Sequence, residues 1–326
     1  MKESLYRTIR LLEEAKGPIS GEELAERLGV TRAAVWKQIQ ELREQGYDIA
    51  SSQKEGYTLR HPSGRLLPYE IKKHLKTRAI GQKMHYLPTI PSTIDVARRF
   101  ASEGDPEELH GTIVIAEEQT GGVGRLGRAW VSPEGGIWIT IILKPSIPID
   151  HVFMITMAGA VAIARAIRRE FDLGAMIKWP NDIYIGDKKV AGLLLELSAD
   201  ADTIHYCLLG IGVDVNFDPS VLSPNLQKSV TTIRAELDHE VDRARFLARV
   251  LREFERHFDL LEAQEYDAIV REWKSMSCTL DHHVRITTLK RSFEGEAIDI
   301  DEYGALIIRK ENGKIERVIA GDCIHQ

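Results

Sequence analysis

The sequence predicts an α+β chain built in three parts, and three observations carry that prediction. Residues 1–62 show helical apolar spacing punctuated by capping residues and glycines, followed by two short strand-like runs. Residues 66–274 alternate apolar or amphipathic helices with buried strand runs, the pattern of a mixed α/β domain. Residues 275–326 alternate like short strands, with turn signals at Glu294-Gly295, Tyr303-Gly304 and Asn312-Gly313.

In the first part, Leu5, Ile9 and Leu12 recur at helical spacing until Gly17-Pro18 stops the helix. Ser20 and Glu23 make a capping box for a second helix that buries Leu24, Ala25 and Leu28 and breaks at Gly29. Thr31 caps a third, with Val35, Ile39 and Leu42 as its buried stripe and Gly46 at its end. A small residue, a glycine turn and an apolar lock at Ala25, Gly29 and Val35 fit a helix-turn-helix. Strands at 47–50 and 57–60 around a polar tip, Ser51 to Gly56, complete a winged helix. Ala33, Lys37 and Gln40 lie roughly opposite Val35, Arg32 sits in the first turn, and the wing adds Lys54. These five are the candidate DNA contacts. Residues 1–61 carry ten Lys/Arg and ten Asp/Glu, so DNA binding requires that charge be segregated onto one face. A protein-interaction domain is the alternative. Residues 61–64 read as a linker.

The whole chain is 326 residues, 43% hydrophobic and 28% charged, with a formal charge of −6, which excludes a global basic footprint. Cys207, Cys278 and Cys323 form no Cys-x-x-Cys pair and read as reduced thiols of a cytoplasmic protein. Cys278 with His282 and His283 lacks the paired spacing of a structural zinc site, so no protein-bound metal is expected. The charged start, Met1-Lys2-Glu3, is no signal peptide. No stretch approaches the roughly 20 apolar residues of a membrane span; the best, Ala158 to Ile167, is interrupted by Arg165.

In the central part, Ser92 opens a helix with Asp95 as its capping partner. Thr112 to Glu117 is a buried strand leading through Gln119 into Gly121-Gly122-Val123-Gly124-Arg125-Leu126-Gly127-Arg128. Such glycines let backbone approach a ligand and turn N–H groups inward, and Arg125 and Arg128 can neutralise phosphate. Trp130 and a strand with apolar residues on both faces, 137–143, follow. Asp150 is placed to cap a small-sided helix running to Phe171. Then comes Lys178-Trp179-Pro180-Asn181-Asp182. An isolated lysine here would snorkel at a strand end, but the proline and the turn-forming residues make a rigid corner that holds an ammonium in one place. A hairpin over 183–197 follows, with Gly192 where a missing side chain could admit a ligand. The strand 204–216 contains Gly210-Ile211-Gly212-Val213-Asp214-Val215-Asn216, and Asp242 caps a further amphipathic helix.

The glycine-arginine loop, the Lys178 to Asp182 run and the Gly210 to Asn216 run, in that order and spacing, resemble the catalytic domain of biotin protein ligases. With the winged helix in front, the chain resembles the bifunctional biotin ligases that also repress biotin genes. The resemblance implies a biotin/lipoate-ligase-like central domain and a small SH3-like β-barrel tail. It implies biotin and ATP as substrates, with Mg²⁺, forming biotinyl-5′-AMP and then biotinylating a carboxylase carrier lysine. It implies biotin contacts at Ser92, Thr93, Gln119, Val123, Gly124, Arg125 and Lys178, with Lys178 and Arg125 catalytic. It implies nucleotide contacts at Arg128, Trp130, Asn181 and Asn216, with Asn181, Asp182 and Asn216 suited to nucleotide or Mg²⁺. The partners implied are a carrier domain, operator DNA and a second copy of the chain when adenylate is bound, with no membrane. Two positions depart from the family: Ile94 where asparagine is usual, and Val123 where the first arginine of Gly-Arg-Gly-Arg stands. Lipoate ligases share the core fold, but their Arg-Arg-x-Ser-Gly-Gly-Gly run is absent. A transcription factor that binds the adenylate without transferring it is the rival of a different class.

Overall fold

A computed structural model of the chain describes residues 3–52, 54–288 and 291–325; Gln53 of the polar wing tip and Met1-Lys2 of the charged start lie outside the described residues. Backbone contacts divide the chain into two compact units, Met1–His74 with Asp242–Arg245, and Leu75–Val241 with Phe246–Gln326.

The first unit packs α1 (Glu3–Glu14), α2 (Gly21–Leu28) and α3 (Arg32–Glu44) around Leu5, Ile9, Leu24, Val35, Ile39 and Leu42. Ser20 and Thr31 accept from the N–H groups of Glu23 and Ala34, and Gly29 takes the left-handed conformation that ends α2, as the cap residues require. The wing is β1 (Asp48–Ser52) paired antiparallel with β2 (Gly56–His61). Gly56 has φ +99°, and a Cβ there would meet the Ile19 carbonyl oxygen at 2.2 Å, so only glycine fits. This unit extends past the expected boundary at 62. α4 (Pro68–Lys72) belongs to it, because the Tyr47 hydroxyl donates to buried Glu70 at 2.7 Å and Tyr69 donates to Glu13 at 2.6 Å. Ser63, expected in a linker, is buried and donates to the Gln45 carbonyl at 2.7 Å.

The second unit is built on a seven-stranded sheet. Its elements in order are β3 (Met84–Ile90), α5 (Thr93–Glu103), α6 (Pro106–Leu109), β4 (Ile113–Gln119), β5 (Ile137–Leu143), α7 (Phe153–Phe171), β6 (Ala175–Lys178), β7 (Asp182–Ile185), β8 (Lys188–Ala199) and β9 (Ile204–Val213). Then come α8 (Pro224–Gln227), α9 (Ile233–Leu237), α10 (Arg243–Glu262), which belongs to this unit from Phe246 onward, and α11 (Tyr266–Ser275). The strand order is β3-β4-β5-β9-β8-β7-β6, with only β3 and β4 parallel. The tail folds β10 (His283–Thr287), β11 (Ser292–Ile300), β12 (Leu306–Arg309), β13 (Ile315–Val318) and β14 (Asp322–His325) into an antiparallel sheet ordered β13-β12-β11-β10-β14. It clusters with the central domain rather than apart from it, since Trp179 and the glycine-arginine loop bond directly to it.

Successive residues of β9 face opposite layers. Leu208 packs with Ile94, Ala97 and Ala101 of α5. Leu209 faces α7 instead, where a Cβ on Gly159 would lie 3.3 Å from it and 2.5 Å from Leu193. The small side chains of α7 therefore allow it to lie close on the sheet. Two capping expectations fail here. Ser92 precedes α5 without a side-chain cap bond, because Asp95 pairs with Arg98 and Gln119 Oε1 accepts from the Thr93 N–H at 2.8 Å. Asp150 lies in a 3₁₀ turn and does not cap α7, whose N-cap is Val152. That turn also lengthens the helix to Ile149–Phe171, 23 residues and apolar enough by length and composition to cross a membrane. The expectation that no stretch reaches that length is corrected. The span is a core helix here, with its residues from Met154 to Ala164 buried.

Candidate active site

One cavity of about 440 Å³ gathers most of the expected site residues of the central domain. Its walls include Ser92, Thr93, Gln119, Val123, Gly124, Arg125, Arg128, Trp130, Lys178 and Asn181, so segments ninety residues apart in sequence meet around one space. Asn216 does not line it. Its amide donates to the Val241 carbonyl at 2.9 Å and accepts from the Val241 N–H at 3.0 Å, a clasp that holds the segment after β9.

Lys178 ends β6, opposite Asp182 of β7, and its ammonium lies 4.9 Å from the centre of the Tyr184 ring. The next residue anchors the corner. Trp179 is 2% exposed, its N–H donates to Thr279 Oγ1 at 2.9 Å, and its indole donates to the Gly304 carbonyl at 3.1 Å. Lys178 is thus carried on a fixed backbone at the cavity wall, half-buried, with a ring face under its charge.

Arg125 is held by Asn181 Oδ1 at 2.9 Å and the Gly321 carbonyl at 3.1 Å. The Asn181 amide nitrogen donates to the Leu193 carbonyl at 2.6 Å. Asn181 therefore positions Arg125 while also lining the cavity, and each end of its amide keeps one further hydrogen-bonding site. Burial pulls the Arg125 guanidinium below its usual value, with Asp322 and Asp182 opposing, and it remains charged. Arg128 pairs with Asp322 of β14. The loop differs from expectation in its backbone. Gly121 N–H donates to the Pro91 carbonyl at 2.9 Å and Gly124 N–H to the Arg128 carbonyl at 2.7 Å. At these two residues the N–H groups close the loop on the protein, so its positive charge comes from the arginines. Gly122 is needed for another reason: a Cβ there would lie 2.4 Å from the Trp130 carbonyl oxygen.

Gly192 and Gly212 face each other across β8 and β9 and make a bare patch of sheet. Gly192 lines the cavity as expected, and the Trp130 ring lies on the patch beside it. A Cβ on Gly192 would meet it at 3.0 Å and one on Gly212 at 2.7 Å. Lys189 covers the ring from 4.8 Å and pairs with Asp182 at 2.6 Å. Val123 is 46% exposed and bridges Ala129, while Ile94 is 4% exposed in the α5 core.

Sequence reasoning missed Lys189, Asp214, Asp322 and Cys323, all of which line the cavity. The last two come from β14, and only the folded tail brings them there. Burial pushes the Cys323 thiol up to about 12 and the Tyr184 phenol up to about 12, while burial and Lys178 pull His325 down to about 4. Neither the thiol nor the phenol supplies an anion at neutral pH.

Asp214 is 4% exposed, and burial lifts its carboxyl well above the usual carboxylate range, with Lys189 opposing. Between the usual value and the lifted one, the folded chain binds more protons than the unfolded chain. Stability from this group is therefore present at low pH and falls as pH rises towards the lifted value. Asp214→Asn removes that titration. Its melting temperature is expected to exceed that of the parent by more at pH 8 than at pH 4.5; an equal difference at both pH values would dissociate the carboxyl from the effect.

In the first unit, Arg32, Ala33, Lys37 and Lys54 are exposed, while Gln40 is half-buried. α3 thus presents a polar, partly basic surface opposite its buried stripe.

Residues 86–214 match the biotin/lipoate A/B protein ligase family, residues 5–58 the HTH domain, and residues 279–326 the biotin protein ligase C-terminal domain. The chain is 35% identical to the bifunctional ligase/repressor BirA of Bacillus subtilis over 305 residues, 93% of each chain. It is 28% identical to the bifunctional ligase/repressor BirA of Escherichia coli, over 93% of this chain and 91% of that protein. Among solved structures, the biotin protein ligase from Aquifex aeolicus in complex with biotin and ATP superposes with a TM-score of 0.65 at 25% identity, covering 75% of this chain and 99% of that one.

Proposed function

The chain belongs to the biotin protein ligase family, among its bifunctional ligase/repressor members, and from that premise we propose a two-step ligase that also reports on biotin demand. In the first step the biotin carboxylate attacks the α-phosphorus of ATP, forming biotinyl-5′-AMP and releasing pyrophosphate. In the second, a carrier lysine amine attacks the mixed anhydride and AMP leaves. The observation that carries the reading is Lys178, set on an anchored corner in the wall of the cavity that Arg125 and Trp130 also line.

Both steps gather negative charge at one phosphorus. Lys178 lies between the two reacting anions, whose repulsion it offsets, and Arg125 holds the phosphate. Arg128 is free to exchange Asp322 for phosphate, as an exposed ion pair costs little to break. The Trp130 ring offers a flat face for the adenine. Asp182 and Asp322, oxygen donors on the cavity wall, would hold Mg²⁺ together with the nucleotide's phosphates, and the ion would supply charge neutralisation there.

The first unit uses Arg32, Ala33, Lys37, Gln40 and Lys54 to contact operator DNA, and adenylate-loaded chains bind as a homodimer to two half-sites. A protein with these partners works in the cytoplasm. The domain assignment that follows is a winged helix, a catalytic domain and a C-terminal domain that supplies β14 to the cavity.

Labelled ATP offered with biotin or with lipoate tests the chemistry. Adenylate is expected with biotin alone. No adenylate with either, from folded protein that still binds biotin, would sink the ligase reading and leave a repressor without transfer. Operator retention is expected to be stronger with biotin and ATP together than with neither; equal retention in a gel-shift titration would remove the sensor role.

A further inference from the structure

Trp36 is 56% exposed, the most exposed large apolar side chain among the described residues of the first unit. It lies on α3, about 90° around the helix from the buried stripe of Val35, Ile39 and Leu42. At 100° per residue, Arg32, Trp36, Gln40 and Arg43 form one stripe along the helix. The stripe runs toward the wing, since the Arg43 guanidinium donates twice to the Ile49 carbonyl of β1, at 2.9 and 2.6 Å. Exposed Arg32 stands one turn before Trp36 and exposed Lys37 immediately after it, and no acidic residue falls in the stripe.

An indole left in water by its own fold is suited to an apolar contact elsewhere. The basic neighbours favour a polyanion as the surface that supplies it. A second copy of this unit offers little for the ring to pack on, because Val30, at 36% exposed, is the other exposed large apolar residue among those described. A DNA major groove offers thymine methyl groups between two rows of phosphates, which is apolar surface framed by negative charge.

Resting on the DNA-binding reading of the first unit, we propose that Trp36 is a specificity-determining contact. Its ring packs on the C5-methyl of a thymine, while Arg32 and Lys37 hold the flanking phosphates. The phosphate contacts set register and affinity, and the indole sets a preference for thymine over cytosine or uracil at one position of each half-site.

The test starts from a pool of randomised duplexes selected by the full-length protein with biotin and ATP. The enriched duplex is then titrated against parent, Trp36→Ala and Trp36→Phe, with each conserved thymine replaced in turn by uracil. The alanine variant is expected to bind on the order of 10-fold more weakly, as for loss of one base contact, and the phenylalanine variant in between. One thymine-to-uracil change per half-site is expected to weaken the parent several-fold and leave Trp36→Ala indifferent. Because that change alters only the DNA, it reads the contact even if a variant misfolds. Binding by Trp36→Ala within twofold of the parent, no uracil effect on the parent, or loss of self-association without DNA would each overturn the proposal. Failure of the parent to enrich any sequence would overturn the DNA-binding reading itself, and the Trp36 contact with it.

Discussion

Lys178→Ala is expected to slow adenylate formation on the order of 10²-fold or more, the scale of losing one oxyanion donor, while the chain stays folded. The corner that carries Lys178 does not depend on its side chain. Trp179 is fixed by Thr279 and Gly304, and β6 pairs with β7 through its backbone. The ammonium itself makes its closest described ring contact with Tyr184, at 4.9 Å, and removing it leaves no orphaned donor or acceptor there. The loss therefore falls on the reaction. Two anions must meet in a cavity partly shielded from water, where one positive charge is worth more than at the surface. Lys178→Arg keeps the charge but replaces a compact ammonium with a planar fork, so partial activity is expected. Single-turnover release of pyrophosphate, beside thermal melting of each variant, measures this. Near-parental rates from folded Lys178→Ala would remove the lysine from the mechanism.

Glu255→Ala is expected to destabilise the second unit by about 2 kcal/mol, at a site far in sequence from any motif. Buried Glu255 of α10 accepts from three consecutive backbone N–H groups, those of Arg78, Ala79 and Ile80, at 2.8–3.0 Å. Alanine leaves these donors without their acceptor; the Ile80 N–H is buried, those of Arg78 and Ala79 are part-buried, and a fully buried orphan costs roughly 1–3 kcal/mol. Glutamine keeps a carbonyl oxygen but loses the charge, so an intermediate loss is expected. Denaturant unfolding followed by tryptophan fluorescence measures the order. A Glu255→Ala midpoint equal to that of the parent would show that water or a shifted backbone satisfies the N–H groups.

The helix caps at Ser20 and Thr31, the turn at Gly29, the wing, the hairpin after Asp182 and the apolar strand 137–143 were all legible, because each depends on neighbours within a few residues. The caps at Ser92 and Asp150 looked equally good and failed for a tertiary reason. At Ser92, a glutamine from β4 reached the helix start first. At Asp150, the chain entered α7 through a 3₁₀ turn. Gly192 was recognisable as a position without a side chain, but not that its neighbour would be Trp130, sixty residues away.

By itself, the sequence determined the order of elements, the winged helix, and the lysine corner and glycine-arginine loop that mark the family. Local propensity and motif spacing are one-dimensional properties, and they survive without knowledge of what packs where. Tertiary structure alone decided which groups share the cavity. It bonded both ends of Asn181, held Asn216 in a clasp, and buried Asp214. It also delivered Asp322 and Cys323 from the last strand. Burial, and with it the state of every titratable group, depends on which distant segments exclude solvent, and that information exists only once the sheet has formed.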